Sequence, residues 1–310
     1  METLAVVVEA PGEVALRRLG MTPPDGDDLV IAVEFSGISM GTEKLMYNGS
    51  MPAFPGMGYP LVPGYEAVGR VVDAGAAAQA RIGEQVFVPG SSKFIGARGL
   101  FGGSAQTLVT GSARVLSIPD NLGDSAVLLS LAATARHALA GGGLADLIIG
   151  HGVLGRLLAR MAVAEGQAPT VWEINPARMD GGEGYQVVTP DADARRDYRS
   201  VYDASGDAAI LDSAIAHMAH GGEVVLAGFY STPLSFNFAP AFRRETRIRI
   251  ATEFLPADLA AVLAMVGSGR LSLDGLVTNR VPASEAATAY GRAFSDPACL
   301  KMVFDWRALA

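Results

Sequence analysis

Leu147-Ile148-Ile149-Gly150-His151-Gly152-Val153-Leu154-Gly155 is the stretch that decides the fold. Three apolar residues read as a short strand, and an apolar helical run from Val153 to Glu165 follows at once, so the glycines lie in a strand-to-helix turn. There a G-x-G-x-x-G spacing has a physical reason at each position. Gly150 permits the tight turn, Gly152 lets the backbone approach a pyrophosphate, and Gly155 lets helix pack on strand. Val153 and Leu154 open the helix, whose unpaired N–H groups and dipole favour an anion. The next apolar strand, Thr170 to Ile174, carries Glu173, 18 residues beyond Gly155. A carboxylate at that point accepts hydrogen bonds from an adenosine ribose and repels a 2′-phosphate, so NAD is expected over NADP. Arg178 is the counterweight, since a guanidinium there could hold such a phosphate.

Outward from this turn, Ser200 to Asp203 and Glu223 to Leu226 read as further strands. Helices are predicted over Ser125 to Ala140, Ala208 to Ala219 and Asp258 to Ser268. Strands alternating with helices predict a doubly wound parallel sheet, an α/β Rossmann domain. The residues after two of those strands, Ala204-Ser205-Gly206 and Gly228-Phe229, lie where a nicotinamide ribose would meet the backbone. The first 120 residues read differently. Ala5 to Glu9, Leu29 to Phe35, Ala67 to Val72, Gln85 to Val88 and Thr107 to Thr110 are strand-like runs broken by Pro-Gly and Pro-Pro turns, with little helical periodicity. Two domains are therefore expected: 125–257 for the dinucleotide, and a mostly β unit made of 1–124 with 258–310, whose tail ends in a strand at Leu300 to Phe304.

With 310 residues, 50% hydrophobic and 18% charged, the chain is neither disordered nor fibrous. A net charge of −8 without a basic run argues against a nucleic-acid partner. The single cysteine, Cys299, excludes an intramolecular disulfide and a cysteine-built zinc lobe. METLAVVVEAPGEV is not expected to be a secretion signal. The charge-free stretch from Val224 to Phe242 is interrupted by Gly228, Pro233, Asn237 and Pro240, so no integral membrane segment is expected. These features point to a cytoplasmic protein.

Ser36-Gly37-Ile38-Ser39-Met40-Gly41-Thr42-Glu43, Pro63-Gly64-Tyr65-Glu66 and Thr134-Ala135-Arg136-His137-Ala138-Leu139 carry a resemblance to the medium-chain dehydrogenase/reductase superfamily that covers nearly the whole chain. The resemblance implies that the mostly β unit is a GroES-like catalytic domain. The first segment is similar to the one that bears the catalytic zinc cysteine, the second to a Gly-His-Glu turn, and the third to a helix near the nicotinamide, which makes Thr134 a cofactor candidate. Here Ser39 stands for the cysteine and Tyr65 for the histidine. A hydroxyl and a phenol replace thiolate and imidazole poorly as zinc ligands, so no metal is expected.

Within that superfamily, residues 41–45, 51–66 and 150–156 resemble the bacteriochlorophyllide a dehydrogenase family. This implies a tetrapyrrole pigment substrate, with oxidation of its 3-(1-hydroxyethyl) group to 3-acetyl and hydride transfer to NAD+. Without zinc, other groups must manage the proton. Ser39 and Thr42 could bond the alcohol oxygen, Tyr65 could donate or relay, and Glu66 could be a base if burial raises its pKa, or a structural carboxylate instead. Met46, Tyr47, Met51, Phe54, Met57 and Tyr59 offer thioethers and flat rings on a Gly/Pro loop, either as a wall for a planar macrocycle or tucked onto their own domain. His137 is a substrate-side candidate or a packing histidine, and His151 is expected to be exposed or against the cofactor. The resemblance also implies a homodimer, with Ser231 to Phe242 and its three phenylalanines as the candidate contact. The competing readings are a zinc-free quinone or enone reductase using NAD(P)H, and a non-catalytic NAD- or pigment-binding protein.

Overall fold

The computed structural model describes residues 1–251 and 253–309. The chain folds as two units, one of residues 1–130 with 274–310 and the other of residues 131–273.

In the second unit six strands form one parallel sheet, in the spatial order Gln186–Val188, Thr170–Trp172, Leu147–Ile149, Tyr198–Asp203, Met218–Leu226 and Arg247–Ile250. Leu147–Ile149 is the point where this order reverses, and ligands of open α/β sheets bind at the carboxyl ends of strands beside such a point. The central strands are apolar because both faces are covered; Leu147, Ile148, Val201, Tyr202, Val224 and Val225 are fully buried. The helix Val153–Ala164 follows the glycine turn as expected. Two edge strands escaped the sequence reading. Gln186–Val188 is only half-buried, and Arg247–Ile250 alternates arginine with isoleucine without burying either, so neither has the apolar run of a covered strand. The helix expected over Ala208 to Ala219 is shorter, Leu211–His217, because the following strand begins at Met218.

The other unit holds a five-stranded sheet and a seven-stranded sheet. The long strand Asp28–Ile38 is central to the latter, pairing with Ala67–Ala74, Thr107–Gly111 and the late strand Met302–Asp305. This last pairing returns the chain's end to the first unit. Helices absent from the sequence reading are Thr42–Asn48 and Ala286–Ser295.

The return was expected at residue 258, yet residues 258–273 group with the dinucleotide unit. Side chains account for this. Asp258 bonds Arg136 Nη1 (2.9 Å) and His137 Nδ1 (2.8 Å), and Arg160 donates to the Ser272 carbonyl at 2.8 Å.

Candidate active site

The glycine turn has the geometry its spacing demands. Gly150 has φ +93°, and a Cβ on Gly155 would lie 1.8 Å from the Gly150 carbonyl oxygen, so the helix can start this close to the strand only with glycine there. A Cβ on Gly152 would meet nothing nearer than Arg178 Nη1 at 4.0 Å, which leaves its backbone open to a bulky anion. The turn therefore fits a dinucleotide.

Glu173 is buried. Its Oε2 accepts from the His151 N–H (2.9 Å), and its Oε1 from the amides of Ile174 (2.7 Å) and Asn175 (2.8 Å). The carboxylate thus ties the glycine turn to the end of the next strand. His151 corrects the expectation of an exposed or cofactor-facing group. Its Nδ1 lies 2.6 Å from the Arg178 carbonyl and its Nε2 2.9 Å from the Tyr185 hydroxyl. The carbonyl can only accept, so Nδ1–H donates and Nε2 accepts. Burial lowers the His151 pKa to about 4, and the neutral ring serves as a strut. Arg156 reinforces it, donating to the carbonyls of His151, Arg178 and Asp180.

At the ends of the next two strands, Asp203 accepts from the Ser205 amide and hydroxyl and from Tyr230 OH. A Cβ on Gly228 would come within 3.1 Å of the Gly206 nitrogen, so the 204–206 and 228–229 turns lie against each other. Phe229 is 39% exposed. On the helix Leu129–Ala140, His137 is committed through Nδ1 to Asp258, which is the packing alternative rather than a ring presented to substrate. Burial would raise the Asp258 carboxyl, but the Leu255 amide, His137 and Arg136 hold it below its usual range.

In the first unit, Ser39 Oγ and Tyr65 OH share a hydrogen bond of 2.6 Å. Burial first, and then the Glu66 charge, push the Tyr65 phenol well above its ordinary value, so it stays protonated, and either hydroxyl of the pair can donate. Tyr65 also meets Phe101 edge-on, with ring centroids 5.6 Å apart.

Glu66 is not a free base. It is fully buried, and Lys301 Nζ donates to both of its oxygens (2.7 and 3.0 Å) and to the Ile38 carbonyl at 3.2 Å. Burial pushes the Glu66 carboxyl up while Lys301 opposes the shift. Beside this pair lies a residue the sequence reading passed over. Glu43 is 1% exposed; its Oε1 accepts from the Ser39 amide (3.0 Å) and its Oε2 from Tyr290 OH (2.5 Å). Burial, aided by Glu66, raises the Glu43 pKa to about 7, against Tyr290, the Ser39 amide and Lys301. A signal for this cluster was available. Lys301 interrupts the apolar run Cys299-Leu300-Lys301-Met302-Val303-Phe304, and a lysine inside a buried strand needs a carboxylate.

The loop after residue 44 is mostly turned inward, the second of its two alternatives. Met46 is fully buried with Val8, Leu61 and Leu100, so it cannot face substrate. Tyr47 packs on Tyr290 and Phe294. Tyr59 donates to the Met46 carbonyl, and Met51, Met57 and Tyr59 pack on the same small core. Phe54 remains 36% exposed, with its ring 6.2 Å from that of Phe101. The cause is the helix Thr42–Asn48, which turns Met46 inward. In the second unit Phe236, Phe238 and Phe242 are 43%, 71% and 70% exposed.

Among the described residues, no helix is long and apolar enough to cross a membrane, and no group of three or more His, Cys, Asp or Glu is placed to hold a metal.

Residues 25–120 match the alcohol dehydrogenase GroES-like domain. The chain is 54% identical to the 2-desacetyl-2-hydroxyethyl bacteriochlorophyllide A dehydrogenase of Rhodobacter capsulatus, across 99% of both chains. It is 53% identical to the protein of that name from Cereibacter sphaeroides, across 100% of both. Among solved structures it is similar to L-idonate 5-dehydrogenase from Escherichia coli, with TM-score 0.86 at 17% identity over 99% of each chain. It is also similar to acetophenone reductase from Geotrichum candidum in complex with NAD, with TM-score 0.84 at 19% identity over 98% of this chain and 97% of that one. The structural likenesses bear out the expected fold, a Rossmann sheet with a GroES-like domain, and the sequence likenesses make the chain an oxidoreductase. It belongs to the medium-chain dehydrogenase/reductase superfamily and, within it, to the family of 2-desacetyl-2-hydroxyethyl bacteriochlorophyllide A dehydrogenases.

Proposed function

We propose that this chain oxidises the 3-(1-hydroxyethyl) group of a bacteriochlorophyllide to 3-acetyl, with NAD+ as oxidant and without zinc, as a cytoplasmic homodimer. The full-length identity to two proteins named for that dehydrogenase carries the substrate assignment. The glycine turn supports the cofactor: Gly150, Gly152, Val153, Leu154 and Gly155 would hold the pyrophosphate and Glu173 the adenosine ribose. Thr134, Ala204, Ser205, Gly206, Gly228 and Phe229 are the candidates for the nicotinamide end, and Arg178 for the phosphate side. Bound NAD+ supplies the hydride acceptor.

Zinc independence rests on donor chemistry. At the positions where zinc ligands would stand, Ser39 and Tyr65 bond each other, and the adjacent Glu66 has both oxygens on Lys301. None is a thiolate or imidazole, and the one carboxylate is already neutralised. The Ser39–Tyr65 pair is instead suited to receive the carbinol. Its hydroxyls, neither of them a base, can hydrogen-bond the carbinol oxygen and relay the proton it loses to solvent water as the hydride leaves for NAD+. Conjugation of the carbinol carbon with the macrocycle lowers the electrostatic help required. The five aromatic or apolar side chains exposed around Ser231 to Phe242 and Arg247–Ile250, namely Phe236, Phe238, Phe242, Ile248 and Ile250, support the dimer contact.

Incubation with NAD+ and a 3-(1-hydroxyethyl) bacteriochlorophyllide should shift the pigment's long-wavelength band and form NADH in equal amounts, with a chelator having no effect. A band shift without NADH would instead reveal a pigment-binding protein. Consumption of NADPH with loss of a conjugated C=C would reveal an enone reductase, and loss of turnover on chelation would remove the zinc-free reading.

A further inference from the structure

Arg98 is exposed at the start of a two-residue strand that pairs with Leu61–Val62. Its amide donates to the Pro60 carbonyl (3.0 Å) and its Nη1 to the Met57 carbonyl (3.2 Å). The guanidinium lies directly on Gly58, where a Cβ would come within 2.9 Å of Cζ and Nε. It is therefore fixed on the 57–58 backbone rather than swinging in solvent, yet no carboxylate among the described residues pairs with it. Met57 is held to Phe54 by a 3.0 Å backbone bond, and the Phe54 ring meets Phe101, which meets Tyr65.

Phe101, three residues beyond Arg98, is anchored by its own backbone: its carbonyl accepts from the Ser91 amide at 3.0 Å, and its neighbours Leu100 and Gly102 both bond the Val62 carbonyl. A row of rings thus runs from the Ser39–Tyr65 hydroxyls to Phe54, whose backbone is tied through Met57 to Arg98, a cation without a counter-ion among the described residues, in a chain whose net charge is −8.

We propose that Arg98, with Phe101 and Phe54, forms a subsite for a macrocyclic carboxylate: of the two rings, 76° apart in plane, one takes the flat face of the substrate and the other its edge, and the guanidinium takes its acid side chain. This rests on the proposed substrate, because a bacteriochlorophyllide is the free acid of an esterified pigment and presents a planar macrocycle with an anionic propionate. Arg matches a carboxylate with two parallel donors, and ring faces take up macrocycle area by dispersion. The subsite therefore selects the free acid over its ester.

The test compares a 3-(1-hydroxyethyl) bacteriochlorophyllide with its propionate methyl ester in the full-length protein. For the wild type, KM for the acid should lie roughly fivefold below that for the ester, with similar kcat, the size expected of one partly exposed bidentate ion pair. Arg98→Gln should abolish the difference in KM between acid and ester, and Phe101→Leu should raise KM for both while keeping that difference. Equal KM values in the wild type, or an Arg98→Gln effect that is the same for acid and ester, would overturn the subsite and leave a loop strut. If the wild type turned over neither pigment, the proposed function would fail instead, and fluorescence quenching on binding would still rank acid against ester.

Discussion

Replacing Glu43 by glutamine isolates one buried proton. Glutamine keeps the shape, its carbonyl can accept from the Ser39 amide, and its amide can donate to the Tyr290 oxygen, so both contacts of the native carboxylate survive. The charge alone is lost. Glu43 is fully enclosed, faced by Glu66, Lys301, Tyr65 and Tyr290, and its pKa is raised from 4.5 to about 7. A carboxyl whose folded pKa exceeds its unfolded one binds more protons when folded. Wild-type stability from this group therefore falls as pH rises from 4.5 to about 7 and is level above. At 1.36 kcal/mol per pKa unit, ionising Glu43 in place costs about 3 kcal/mol.

Urea denaturation of both proteins at about pH 5 and about pH 8 reads the effect as a difference of differences, in which titrating groups that do not face Glu43 cancel. Glu43→Gln should exceed the wild type by about 1 kcal/mol at the lower pH, where the unfolded carboxyl is already mostly ionised, and by about 3 kcal/mol at the higher. A gap that does not change with pH would refute a buried, ionising Glu43.

Lys301→Met strands the Glu66 carboxylate in the core and should cost about 3–5 kcal/mol in urea denaturation, most of it regained in Lys301→Met/Glu66→Leu; a single variant as stable as the wild type would contradict the pairing. Gly155→Ala drives a methyl into the Gly150 carbonyl and should lower both Tm and NAD affinity. Gly152→Ala, which meets open space, should leave Tm unchanged while weakening NAD binding by about tenfold in calorimetry. Glu173→Gln should shift the NAD-to-NADP preference toward NADP by about tenfold in kcat/KM, and an unchanged ratio would remove the ribose role of that carboxylate.

The nucleotide half was legible because its information is local. A strand, three glycines, a helix and an acid at the end of the next strand follow one another directly along the chain, and each follows from turn geometry or periodicity. The edge strands Gln186–Val188 and Arg247–Ile250 were not legible, because an edge strand needs no apolar run and borrows its conformation from its neighbour's hydrogen bonds. The loop from Met46 to Tyr59 read equally well as a substrate wall or as a self-packed segment, and composition cannot separate the two. Met46 went to the core once the helix Thr42–Asn48 formed, while Phe54 stayed at the surface.

The amino-acid sequence by itself determined the strand–turn–helix that can cradle a dinucleotide, because that is a matter of residue type at fixed spacing along the chain, while its resemblance to the medium-chain superfamily is what set Ser39 and Tyr65 against the metal-ligand positions. Only the tertiary structure decided which acids can act. Glu66 meets Lys301 from 235 residues away, and Glu43 meets Tyr290 from 247 away. The ionisation of a carboxylate follows the water it loses and the charges it gains on folding, and neither can be read from its neighbours in sequence.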